Sequence, residues 1–72
     1  MTADASKAER AGAAKALRAL ALEWRDDARH LERRKHVPAA NDAIYRLLSE
    51  AVARIRDAAV EAERRAAEME GM

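Results

Sequence analysis

Apolar residues recur with helical spacing in two long segments, one on each side of the middle of the chain. In the first segment they step by three or four residues through Ala13, Leu17, Leu20, Trp24, Ala28 and Leu31. In the second they run through Ile44, Leu48, Val52, Ile55, Ala59, Ala62, Ala66 and Met69. An α-helix has about 3.6 residues per turn, so this spacing keeps the apolar side chains on one face. The pattern predicts two amphipathic helices.

The only proline, Pro38, lies between these two segments. Proline lacks the amide that a helix interior needs but fits the first turn of a helix. One helix should therefore end before Pro38, and the next can begin there. Ser6, followed three residues later by Glu9, forms a capping-box pattern and predicts the start of the first helix.

These signals predict one domain, an all-α antiparallel hairpin of two helices that spans residues 1–72. The predicted bounds are about 7–34 for helix 1, 35–37 for the turn and about 38–69 for helix 2. Folding the chain back at this turn would place Trp24 beside Leu48.

The composition changes this picture, because the apolar residues are mostly small. Hydrophobic residues make up 50% of the chain, but 20 of them are alanine. Two helices bury only one stripe each, and a chain of this size rarely builds a sufficient core alone. We therefore expect a homo-oligomer, with a dimer that forms a four-helix bundle as the favoured form. The residues expected in the oligomer core are Leu17, Leu20, Trp24, Leu31, Ile44, Leu48, Val52 and Ile55.

Several classes of function lack their sequence signals. The chain has no cysteine, no glycine-rich phosphate loop and no long uncharged apolar segment. Ser6 and Ser49 have no adjacent histidine base, and His30 and His36 fall on different sides of a helix. We expect no enzymatic activity, no cofactor, no metal site and no membrane contact, and a cytoplasmic location.

A basic ridge on helix 1 is the sharpest candidate for chemistry. On a helical wheel five basic residues lie within about 80° of one another. They are Lys15, Arg18, Arg25, Arg29 and Arg33. Such a ridge could bind the phosphates of a nucleic acid. It could instead pair with an acidic ridge on helix 2 of a second protomer, formed by Glu50, Asp57, Glu61 and Glu68. The net charge of only +1 favours the second interpretation.

Three stretches of the chain carry a resemblance to known proteins. They are the run 20–25 (Leu-Ala-Leu-Glu-Trp-Arg), the charged run 33–36 (Arg-Arg-Lys-His) and the helix start 41–43 (Asn-Asp-Ala). With the alanine and arginine bias, they resemble small helical proteins of unassigned function from actinobacterial phages and their hosts. The architecture also resembles Rop-type hairpin dimers, which bind RNA. The resemblance implies a short accessory protein that binds a host or phage macromolecule, and it carries over no site residues.

The favoured hypothesis is a non-enzymatic, protein-binding accessory protein that acts as a helical-bundle oligomer. The first alternative is a nucleic-acid-binding hairpin that uses the basic ridge. The second alternative is a structural component of a phage particle.

Overall fold

The computed structural model consists of two long helices that pack against each other in an antiparallel hairpin. It describes residues 3–36 and 41–71, with side chains described from Lys7 onward. Helix α1 spans Ala3–Arg34 and helix α2 spans Asp42–Gly71. The molecule is a rod with extents of 57 × 15 × 13 Å. The prediction of an all-α hairpin is confirmed.

Helix α1 begins earlier than predicted, at Ala3 rather than near Lys7. Ser6 therefore lies inside the helix and is not its N-cap, so the capping-box prediction is wrong. Alanine has the highest helix propensity, and Ala3 and Ala5 allow the helix to extend past the local capping signal. The helix ends at Arg34, as predicted.

Asn41 defines the start of helix α2. The amide of Ile44 donates a hydrogen bond of 2.9 Å to Asn41 Oδ1, and the amide of Tyr45 donates one of 2.9 Å to the Asn41 carbonyl. This is the arrangement of an N-cap residue. The helix therefore begins at Asp42 rather than near residue 38, because asparagine supplies an acceptor for the free amides that proline does not. Pro38 lies outside the described residues.

The two helices touch along a line of small residues. On α1 the buried residues recur every seven positions, at Ala14, Ala21 and Ala28. On α2 they are Val52, Ala59, Ala62 and Ala66. A seven-residue repeat keeps side chains at the seam between two helices, and alanine lets the two backbones approach closely. The seam of the hairpin is therefore built from methyl groups.

The larger apolar residues lie beside this seam rather than in it. Among the residues whose side chains are described, Val52 is the only buried one larger than alanine. Leu17 and Trp24 pack against the buried cluster but remain half-exposed, and Ala13, expected on the buried stripe, is exposed. The contact line on α1 is therefore rotated away from the predicted leucine stripe, because the alanine repeat allows the closer approach.

The register between the helices differs from the predicted one. Trp24 packs against the cluster of Ala21, Ala59 and Ala62. At about 1.5 Å per residue, Leu48 is about 16 Å from Ala59 along α2. The predicted neighbourhood of Trp24 and Leu48 is therefore wrong. That prediction assumed level helix ends, whereas the alanine seam and the charge pairs set the register.

The first turn of α2 packs against the end of α1. Lys35 Nζ lies 4.9 Å from the centroid of the Tyr45 ring and 2.9 Å from a carboxylate oxygen of Glu32. The His36 ring meets the Tyr45 ring edge-on, with 6.4 Å between the ring centroids.

Neither helix, over the residues described, has an apolar stretch long enough to cross a membrane.

Candidate functional site

One flank of the hairpin carries an apolar face. Its members are large, partly exposed apolar residues of the two helices, and those of α1 lie to one side of the alanine seam. We define it as Leu17, Leu20, Trp24 and Leu31 of α1 with Ile44, Leu47, Leu48 and Ile55 of α2. On a helical wheel the α1 members fall within about 60° of one another. All the predicted oligomer-core residues except Val52 belong to this face.

The apolar face is only partly covered by the chain itself. Leu20 is 36% exposed, Ile44 43% and Leu47 65%. The other members are half-buried. Near the turn, Leu31 and Ile55 are the apolar part of an open groove of about 560 Å³, whose other lining residues are Asp27, His30, Arg33 and Arg34. Several partly exposed large apolar side chains on one flank are typical of an interaction site.

The opposite flank, which we term the charged flank, carries ion pairs between the helices. Arg25 donates hydrogen bonds to Glu63 Oε1 from Nε at 2.8 Å and from Nη2 at 2.5 Å. Seven residues away on each helix, Arg18 pairs with Glu70. These pairs are exposed, so they contribute more to the register than to the stability of the hairpin.

At a third place on the charged flank the charges are reversed, with the acidic residue on α1 and the basic residue on α2. The pKa of Glu32 is lowered, first by a hydrogen bond from Lys35 and then by the positive charges of Lys35, Arg56 and His36. Arg56 therefore lies near Glu32. Glu32 follows Arg25 by seven residues, and Arg56 precedes Glu63 by seven, so the charge ladder continues with its signs exchanged.

The predicted basic ridge is divided by these contacts. Arg18 and Arg25 face carboxylates of α2, and Arg29 Nη2 lies 3.9 Å from Asp26 Oδ1. Lys15 and Arg33 are exposed and form no ion pair with any described residue. Arg25 therefore pairs within the chain, with Glu63 of α2, and its expected pairing with a second protomer stays a prediction.

The predicted acidic ridge is also partly neutralised by its own helix. Glu61 accepts hydrogen bonds from Arg64 and Arg65, and these arginines lower its pKa to about 2. Glu68 pairs with Arg64. Glu50 and Asp57 form no ion pair within the described part of the chain.

Sequence reasoning missed the alanine seam and the charge pairs between the helices. The seam is visible in the sequence as a seven-residue repeat, because Ala14, Ala21 and Ala28 run beside the leucine stripe. The charged residues that pair between the helices repeat with the same step of seven.

In residues 3–36 and 41–71, no group of three or more histidine or acidic side chains could hold a metal ion.

No protein-family model matches the sequence, and no curated protein or solved structure matches it either. The fold and its two flanks therefore define only the structural class of the protein. It is a two-helix hairpin with an alanine seam, one apolar face and one charged flank.

Proposed function

We propose that this protein is a non-enzymatic, protein-binding accessory protein whose hairpins associate through the apolar face into a four-helix bundle, most simply a homodimer. The observation that carries the proposal is the incomplete burial of the apolar face. Within the described residues, no large apolar side chain is fully buried.

Burial of this face would provide the stabilisation that the alanine seam provides only weakly. Fully burying one leucine or isoleucine side chain contributes about 1.5–3 kcal/mol, much more than burying a methyl group. Leu20, Ile44 and Leu47 keep a third or more of their surface exposed in the single hairpin. Small domains commonly gain the missing core by oligomerisation.

A second copy of this chain is the occupant that fits the face best, because a two-fold interface needs a surface complementary to itself. The outer edge of the apolar face carries Glu23 and Asp27 on α1. On α2 it carries Arg54, which forms no ion pair within the described residues, and Arg65, which pairs with Glu61 of its own helix. Placing α1 of one copy beside α2 of another would bring these edges together. Complementary edges favour the correct partner and orientation.

The proposed accessory role depends on the surface that would stay exposed after the bundle has formed. The charged flank would remain exposed and available to a host or phage protein, in the context that the resemblance to small phage proteins implies. The absence of cysteine agrees with a cytoplasmic location. A nucleic-acid role through the whole basic ridge receives less support, because Arg18 and Arg25 already face carboxylates of α2.

Sedimentation equilibrium over a hundredfold concentration range tests the proposal. The expected mass is that of a dimer, and Leu20→Glu should shift the equilibrium to the monomer. Leu22→Glu is the matched control, since Leu22 is also an exposed leucine but lines a groove on the charged flank with Arg18 and Arg25.

Three other results would contradict the homodimer. A helical wild-type monomer at all concentrations would mean that a different protein covers the apolar face. Equal effects of Leu20→Glu and Leu22→Glu would mean that the bundle forms through another surface. Growth into assemblies much larger than a tetramer would favour a structural component of a particle.

A further inference from the structure

Three arginines converge on a groove in the charged flank. Arg25 and Arg29 of α1 and Arg56 of α2 line an open groove of about 290 Å³. No carboxylate is among these lining residues. We propose that this groove, termed the arginine groove, is a binding site for one phosphate group.

The hydrogen-bond donors of the arginine groove are largely uncommitted. Arg25 uses Nε and Nη2 to contact Glu63, which fixes its guanidinium and leaves the Nη1 hydrogens. Arg29 is 3.9 Å from Asp26, beyond hydrogen-bond distance. Arg56 donates no hydrogen bond to any side chain in the described residues. The groove therefore presents positive charge and free N–H groups at the same place.

The charge arrangement suits an oxyanion. Three guanidinium groups repel one another, and a phosphate group with a charge of about −1.5 or more would neutralise most of that repulsion. Two carboxylates lie near these arginines, since Glu63 is hydrogen-bonded to Arg25 and Glu32 is close to Arg56. The planar guanidinium group binds phosphate oxygens in a bidentate manner, which a lysine cannot reproduce.

The size of the groove favours one phosphate group over an extended strand. Pockets for complete small molecules measure roughly 300–1,000 Å³, and the arginine groove is at the lower limit. Lys15, Arg18 and Arg33 of the basic ridge do not line it. The site also combines the two helices, so it depends on the hairpin register. It lies on the flank opposite the apolar face and does not rest on the proposed bundle.

The test is a titration of the full-length chain with inorganic phosphate at constant ionic strength, followed by NMR of the arginine Nε–H groups. We expect saturable shifts at Arg25, Arg29 and Arg56. Arg29→Gln and Arg56→Gln should each weaken binding at least about fivefold. Arg46→Gln is the matched control, because Arg46 is exposed on the same helix but lies ten residues, about 15 Å, along the helix from Arg56. It should leave the affinity unchanged.

Two results would overturn the site. Shifts that do not saturate, or an Arg46→Gln effect as large as that of Arg56→Gln, would mean diffuse attraction to net charge. A second titration uses a short single-stranded DNA to distinguish a free phosphate from a phosphodiester. If Lys15→Gln and Arg33→Gln weaken DNA binding as much as Arg56→Gln does, the ligand follows the whole ridge and the groove is not a distinct site. Circular dichroism and sedimentation of each variant separate these outcomes from loss of the fold or of the oligomer.

Discussion

Arg25 and Glu63 join the two helices through two hydrogen bonds to a single carboxylate oxygen, at 2.8 and 2.5 Å. One heptad toward the termini, Arg18 pairs with Glu70, and one heptad toward the turn, Glu32 lies near Arg56. A slip of one heptad would place Arg25 opposite Arg56 or Glu32 opposite Glu63. The order of charges therefore disfavours the neighbouring registers by repulsion.

Charge reversal at this position should destabilise the hairpin, and reversal of both partners should restore it. An exposed ion pair contributes about 0.2–1 kcal/mol, so Arg25→Glu or Glu63→Arg alone should lower the free energy of unfolding by about 1 kcal/mol. The double variant should recover most of this loss. Urea unfolding of the four proteins gives the coupling energy. If the double variant is as unstable as the sum of the two single variants, the pair does not set the register.

The alanine seam should not tolerate a larger side chain. Ala21 is 1% exposed and belongs to the central cluster with Ala59 and Ala62. Ala21→Leu would force the helices apart, at a cost of about 1–3 kcal/mol. Ala19→Leu is the control, because Ala19 is exposed on the same helix and both substitutions keep helix propensity high. Thermal unfolding of the two variants distinguishes them, and equal stability would contradict a closely packed seam.

The hairpin could be predicted from sequence because its signals are local. Helical spacing, the lengths of the two segments and the break near Pro38 are each read within a few residues. The start of α2 was misplaced because two local signals competed, and the Asn41 cap prevailed over the proline.

The seam and the register could not be predicted in the same way, because they depend on which of two apolar lines allows the closer approach. Packing through the leucine stripe would bury the larger apolar area, but packing through Ala14, Ala21 and Ala28 permits the shorter distance between the helices. The place of the apolar face in an oligomer core stays a prediction. The arginine groove was missed because Arg56 joins Arg25 and Arg29 only in the observed register.

Acid should weaken one charge cluster on α2. Arg64, and then Arg65, lower the pKa of Glu61 from 4.5 to about 2. A carboxylate whose pKa is lower in the folded state contributes stability above its unfolded pKa, and this contribution is lost as the pH falls toward the folded value. The Glu61 contribution should therefore decline between about pH 4.5 and 2. Carboxyl NMR titration should show that Arg64→Gln raises this pKa more than Arg65→Gln. A Glu61 pKa that is unchanged in both variants would contradict the assignment to these arginines.

Trp24 should report directly on the covering of the apolar face. In the single hairpin it packs against the alanine cluster and remains half-exposed, so association would bury the rest of its ring. We expect its fluorescence emission to shift to longer wavelength on dilution, over the same concentrations at which the sedimenting mass falls. Leu20→Glu should give the longer-wavelength emission at all concentrations, whereas Leu22→Glu should behave like the wild type. If the mass falls while the emission stays constant, Trp24 lies outside the interface and the protomers associate through another surface.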